Sequence, residues 1–552
     1  PILASGTGAD AGLNGGGGAG GSIYVACRKL AGAAGSRLSA GGASENFGRG
    51  GGGGGRIAVI YDPAAQAAAP VPATLFSTAP GITGGDVGTL YFPDNRLLPE
   101  TFPHSGQWMV NNFTNWGPAS LTLSNGWLRL PFAGFRLTVT NSLASYGSSA
   151  VTNRLQLYDA FVSCGGDAIF GGSGLHLLSS GGATASLFQT GGSITLTNAS
   201  DLYVYAGQTN PATTNYGALV NVAGDVTLAT NSWIYPYSHS TNGGSVSFQV
   251  GGSLTLATPN CGINADGKGF RGAPTGVKGY GPGGGVSGNS GAGYGGTGGG
   301  NAGGIAYGSS NAPLDPGSCG SGIAGDVGRA GGGAIRIGAT GDVTVNGQIT
   351  ANGGTDGSTG GGSGGGIHIT CNRILGTGSV TARGSNCGPN AGGNTGGGGG
   401  GRIAVLYNTV AQAAVGVPSI RFSVQPGLVG GDVGTLYFPD NRFLTETFPH
   451  SGQWMTPNFT SWSPSSLTVS NGWLRLPAAG FQLAITNGLA VLGTNPNQHA
   501  LQLYDPILSC GPGGLLDGAS LHLFSTGGAN AAVFRCGGNF MMTNGAQFHV
   551  YA

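Results

Sequence analysis

Charge is the first scarcity. Only 7 % of the 552 residues are Asp, Glu, Lys or Arg, and three of them are Glu. The 21 basic and 20 acidic side chains are scattered, with no Lys/Arg run. A nucleic-acid binder needs a basic stripe to neutralise phosphates, so nucleic acid is not an expected partner. Cysteine is also rare: eight residues, too sparse for a disulfide scaffold. No CxxC or Cys/His ligand spacing occurs, and no metal site is expected. No apolar run approaches the ~18 residues of a membrane span. Apolar spacing at i, i+3, i+4 is missing throughout, so no amphipathic helix is expected. The low charge does not signal disorder, because hydrophobic residues reach 39 % and can fill a core. The 117 glycines lack a strict three-residue period, which excludes collagen.

What is present is a long repeat. Gly85 to Pro131 returns at Gly431 to Pro477 without a gap, differing at eight of 47 positions. Arg56/Arg402 and Tyr205/Tyr551 keep the same offset of 346 residues. Cys164 matches Cys510 and Cys27 matches Cys371, whereas Cys387 and Cys536 face Ser44 and Thr190 in the other copy. The repeat divides the chain into residues 1–348, a first long unit, and residues 349–552, a partial second copy equivalent to 2–206. The chain starts at Pro1 and stops inside a repeat, at the position of Ala206, and reads as a piece of something longer.

Within the repeat lies a smaller unit of three short strands. Ser193-Ile194-Thr195-Leu196, Asp225-Val226-Thr227-Leu228, Ser253-Leu254-Thr255-Leu256 and Asp342-Val343-Thr344-Val345 are middle strands, spaced by 32, 28 and 89 residues. An Asn commonly follows, as at Asn198 and Asn231, and Asn tolerates the left-handed backbone of a sharp turn. Three strands per coil of about 30 residues predict an all-β chain folded as a right-handed parallel β-helix. Alternating Ile, Val and Leu would point inward, with Thr and Ser outward. A β-sandwich is the rival fold, but the turns recur with the coil period.

Glycine runs interrupt the coils at Gly50–Gly55, at Gly396–Gly401 and across 266–333. Such runs suit neither helix nor strand. The longest is expected as a tether or a polyglycine bundle on the outside, partly ordered and anchored by Val286, Tyr294 and Tyr307.

Coils such as Gly341 to Gly354 (GDVTVNGQITANGG) resemble those of large bacterial surface β-helix proteins, the filamentous haemagglutinin-like adhesins and autotransporter passengers. The resemblance is one of pattern and spans the coil-like segments of both copies. It implies an extracellular or cell-surface structural protein: a fibre, stalk or adhesin shaft that assembles with itself head-to-tail or laterally. Open solenoid ends favour such contacts.

Six tryptophans recur in pairs: Trp108, Trp116 and Trp127, then Trp454, Trp462 and Trp473. Aromatic faces beside amides suit sugar stacking, so they are candidate glycan-binding residues of a carbohydrate-binding adhesin. Otherwise they form a hydrophobic plug. His104 and His450, each four residues after Glu100 or Glu446, form a conceivable acid/base pair or a folded corner. A polysaccharide lyase or hydrolase is the third reading, but the carboxylates are scattered singly and no catalytic residue is assigned. Gly165 to Gly174 resembles one calcium-binding nonapeptide, yet Gly513 replaces Asp167 in the second copy. No cofactor is expected.

Overall fold

The structure is a computed structural model. It describes the chain except residues 9–14, 45–49, 83, 182–184, 209–216, 273–276, 324–325, 389–394, 528–530 and 552. The fold is a parallel β-solenoid, divided into two compact units: Pro1–Gln208 with Gly217–Tyr235, and Thr209–Tyr216 with Pro236–Ala552. The division falls at Tyr235, away from the repeat boundary at residue 348.

In the first unit successive strands pair in parallel from one coil to the next. Leu121–Ser124, Leu143–Tyr146, Ala168–Gly171, Ile194–Thr197 and Val226–Leu228 make one sheet. Arg136–Val139, Phe161–Cys164, Ser186–Thr190 and Ala218–Val222 make a second. Trp127–Leu130, Arg154–Tyr158, Gly174–Leu178 and Asp201–Tyr205 make a third. Alternation along each strand sets the two faces. Leu121, Leu143, Ala168, Ile194 and Val226 stand in one register and are all buried. Thr122, Thr195 and Thr227, one residue on, are half-exposed. Each fully buried Leu or Ile contributes roughly 1.5–3 kcal/mol. Asn198 and Asn231 take φ of 56° and 60°, as the turn pattern requires.

The second unit repeats the scheme. Val246–Val250, Ile335–Ala339, Gly366–Cys371, Arg402–Tyr407 and Thr435–Tyr437 are successive strands of one sheet. The 89-residue step between Leu254 and Val343 does not hold further coils of this kind. The two strands are direct neighbours, Leu254 opposite Val343, and the added residues leave the coil between Gly262–Asn264 and Ile335–Ala339, which are themselves coil strands.

In both copies one strand is a junction. Ser105 of strand Ser105–Met109 pairs with Ser77, while Gln107 pairs with Thr89 of another strand. Ser451 likewise meets Ser423, and Gln453 meets Thr435. Two rows of strands therefore converge on one strand inside each 47-residue block.

Upstream of each junction strand lies a five-residue helix. Pro63–Ala67 is capped by Asp62, and Thr409–Ala413 by Asn408. Each places a fully buried Gln against the main chain of another segment, which in the second copy is the strand Ile374–Leu375. The Gln66 Oε1 accepts from the Leu30 N–H at 2.7 Å, and its Nε2 donates to the Leu30 carbonyl at 3.1 Å. Gln412 does the same to Ile374. Helices were not expected from the apolar spacing. Asp62-Pro63 is a recognisable cap and first-turn pair, but five residues are too few for a periodicity.

The tract Gly396–Gly401 of the second unit is buried rather than thrown outward. Gly396 and Gly399 donate to Asn289 and Ala292, Gly397 and Gly400 to Val429 and Asp432, and Gly398 and Gly401 to Ser385 and Ala382. Donors three residues apart thus share a neighbour, and three neighbours surround the tract. This is a polyproline II-type helix of three residues per turn, its amides all directed outward. Only glycine fits: a Cβ on Gly396 would fall on the carbonyl oxygen of Gly299, and one on Gly398 on that of Gly362. Tyr294 anchors the bundle, fully buried with its ring centroid 4.7 Å from that of Tyr307. Val286 does not, being about half exposed.

Candidate functional site

The six tryptophans do not form one surface. Trp108 and Trp454 belong to the core, 0 % and 1 % exposed. Each ends an inward stack: Ile23, Ile57, Leu90, Trp108 in one copy, and Ile367, Ile403, Leu436, Trp454 in the other. Their indole N–H groups donate to Asn95 and Asn441 at 3.1 and 3.0 Å. Neither can present a face to a sugar, which corrects the expectation for this pair. Trp116 and Trp462 lie half-buried on a different sheet, opposite Leu137 and Leu483.

His104 and His450 are also core residues. Their Nδ1 atoms accept from the Phe76 and Phe422 N–H groups, both at 3.2 Å. Burial pushes both imidazoles down to about 4. Glu100 instead accepts from the Ala119 N–H at 2.7 Å, and Glu446 from that of Ser465 at 2.7 Å. The histidine and glutamate of each pair are thus committed elsewhere, and the folded-corner reading describes them. Asp167 accepts from the Ser193 N–H at 2.7 Å, a turn contact between coils. Among the described residues no three His, Cys, Asp or Glu side chains are grouped as metal ligands would be.

Trp127 and Trp473 behave differently: each lies in a cleft at the same place in its repeat. The first cleft, about 330 Å³, is bounded by Pro80–Ile82 and Gly84–Asp86 on one side and Val151 and Arg154 on the other, with Trp127 and Gln156 beneath. The second, about 840 Å³, runs between Gln425–Gly431 and Asn495–His499, over Trp473, Gln502 and His522. The floor side chains come from adjacent strands of one sheet, so their spacing is fixed by the ladder.

One difference between the clefts lies over the tryptophan itself. Arg154 lies over the Trp127 ring, 4.1 Å from its centre, and Ala500 takes its place opposite Trp473. The polar partners differ as well. Trp127 Nε1 donates to Gln156 Oε1 at 2.7 Å, whereas Trp473 Nε1 and His522 Nδ1 are buried without a hydrogen-bond partner among the described residues. Burial, together with the His549 and Arg475 charges, pushes His522 down to about 4, so it is neutral near pH 7. Asp86 is held by Arg129, whose NH1 donates to Oδ2 at 2.9 Å. Burial would raise its carboxyl, but the Arg129 hydrogen bond and charge keep it below the ordinary range. Asp86 is the only carboxylate among the residues lining the first cleft, and none lines the second.

Sequence reasoning found the tryptophans of these floors but not the clefts. The walls come from segments about 70 residues apart, and only the coil brings them together.

Fold and site together define a parallel β-solenoid with a paired, tryptophan-floored cleft. Set against protein-family models, curated proteins and solved structures, the chain matches none. No helix among the described residues is long and apolar enough to cross a membrane.

Proposed function

We propose that the protein is an extracellular structural solenoid, a shaft built from tandem 346-residue units that assembles with further copies of itself. The junction strand is the observation that supports this most. Ser105–Met109 and its counterpart Gly452–Met455 join one stretch of coil to the next by parallel pairing, Ser451 adding a bridge to Ser423. A chain that closed on itself would have no use for such a splice in every repeat. Electron micrographs of the native material test the reading. Fibres with an axial period set by the repeat are expected, and dispersed single particles at high concentration would overturn it.

A second reading has its own support. The second cleft offers an indole, an unpaired indole N–H, two neutral imidazoles and the Gln502 amide, a set suited to the hydroxyls and apolar face of a sugar. On this reading the shaft binds glycans through the Trp473 cleft. Binding to a glycan array that vanishes with Gln502→Ala and His522→Ala is expected. Unchanged binding by the double variant would exclude the cleft. A glycosidase would need two facing carboxylates, which the clefts do not supply.

A further inference from the structure

The two tryptophan clefts differ in charge as well as in volume. Around the first, Arg129 and Arg154 face Asp86 and Asp201, two cations to two carboxylates. Arg129 holds Asp86, and an Asp201 oxygen lies 3.0 Å from His176 Nε2 on the same sheet. The charges of both carboxylates act on Arg154, which covers Trp127.

Around the second cleft that balance is gone. Ala500 stands in place of Arg154, and Gln547 in place of Asp201. Two other cations enter the lining, Arg383 and Arg421. Arg421 holds the position of Leu75. Arg383, two residues past the strand Ser379–Thr381, holds that of Gly41, two residues past Arg37–Ser39. Both arginines are exposed, and among the described residues neither forms an ion pair. Arg383 Nε donates to Ser423 Oγ at 3.0 Å, which fixes one edge of its guanidinium. Partial desolvation and the Arg421 charge push that guanidinium down, with only Asp266 pulling the other way, so the two cations repel each other. Asp432, beside the lining Gly431, is occupied by Arg475, whose NH1 donates to Oδ2 at 3.0 Å. The cleft thus carries an excess of positive charge.

The floor is an independent sign. Trp473 is 8 % exposed and lines the cleft, yet its Nε1 has no acceptor among the described residues. A buried N–H left without an acceptor is costly. In the first cleft Gln156 satisfies the matching N–H, whereas Gln502 Oε1 accepts from Arg475 Nε at 2.7 Å. In the first copy, where the chain continues for several more coils, no described lining residue lies past Gln156.

We infer that the Trp473 cleft takes an acidic saccharide: Arg383 and Arg421 hold its carboxylate or sulfate group, and the Trp473 N–H donates to one of its oxygens. This rests on the glycan reading of the cleft and narrows the ligand to charged sugars. A guanidinium suits either anion, because its donors form a fork that meets two oxygens at once. A neutral sugar would leave the repulsion between the two arginines unrelieved. The first cleft, with its charges balanced and its tryptophan covered, does not share the preference.

The test is calorimetric titration of the full chain with three hexasaccharides: an oligogalacturonate for the carboxylate, a carrageenan oligosaccharide for the sulfate ester, and cellohexaose as the neutral sugar. At least one acidic probe should bind about tenfold or more tightly than cellohexaose at low salt, and its advantage should shrink as salt is added. The acidic probe that binds identifies the anion. Arg383→Gly with Arg421→Leu installs the residues that the first copy carries, so the coil accommodates them, and thermal unfolding checks this. The double variant should lower the affinity for the acidic probe to that for cellohexaose, and Arg421→Gln alone should lower it severalfold. Equal binding of all three probes overturns the inference and leaves the sugar reading standing. Acidic binding retained by the double variant overturns it too, since the anion would then be held elsewhere. Displacement of the acidic probe by inorganic sulfate at the same concentration would reduce the site to one for the anion alone, and also overturns it. Binding of none of the probes removes the sugar reading together with this inference.

Discussion

Gln412 pairs with Ile374 as a strand residue would: Oε1 accepts from the Ile374 N–H at 2.8 Å, and Nε2 donates to its carbonyl at 3.1 Å. One side-chain amide, presented by a single helical turn, stands in for the main chain of a missing coil. Both Ile374 groups are buried, and neither has water to fall back on. Gln412→Leu keeps the volume but strands a donor and an acceptor, each costing about 1–3 kcal/mol. Chemical denaturation should show a loss of about 2–5 kcal/mol, with Gln66→Leu giving a similar loss. A change below about 0.5 kcal/mol would mean that the amide only fills space.

The core histidines make the protein acid-sensitive. His104 and His450 are held near 4 in the folded chain, against 6.5 for an ordinary imidazole. A depressed value means that the folded state favours the neutral ring. Their contribution is complete above pH 6.5 and is lost as pH falls towards 4, by roughly 3 kcal/mol each. Urea midpoints measured from pH 7.5 to 4 should fall accordingly. His104→Gln with His450→Gln keeps an acceptor for the Phe76 and Phe422 N–H groups and should flatten that slope. An unaltered slope would place the acid sensitivity elsewhere.

Arg154 covers Trp127 in the first cleft, and Ala500 stands in its place beside Trp473 in the second. Arg154→Ala should uncover Trp127 and raise its quenching by acrylamide. Ala500→Arg should cover Trp473 and, if that cleft holds sugar, reduce glycan binding about tenfold. Retention of full binding by Ala500→Arg would remove Trp473 from the contact.

Asn441 is the acceptor for the buried Trp454 indole. Asn441→Ala leaves that N–H unpaired at a cost of about 1–3 kcal/mol. Asn95→Ala should act alike on Trp108. A thermal shift in only one of the two would show that the copies have diverged in stability.

The coil was open to sequence reading because it obeys period two: Ile194, Leu196, Val226 and Leu228 are inside, as their alternation requires. The tryptophans show where such reading stops. In Ser105–Met109, Gln107 points out and Trp108 in. Composition around a residue says nothing of which side of the pleat it occupies until the register is known. Trp127 lies on the outer side of its strand, level with Arg154 of the next coil, and there the walls decide its role. Gln412 was invisible for another reason: nothing in a sequence marks a side chain that substitutes for main chain. The glycine runs were conspicuous, but their direction was not. Their partners lie on three sides and up to 107 residues away.

The sleeve of glycine threads around Gly396–Gly401 has a consequence for how such a protein can vary. Elsewhere in a core, a larger residue is absorbed by a rotamer change or a small slide of its neighbours. Here the neighbours are carbonyl oxygens already fixed by hydrogen bonds, and nothing can turn aside. Every first- or second-position change in a glycine codon adds at least a methyl or removes the residue altogether. This part of the gene should therefore tolerate whole-unit duplication far better than point mutation.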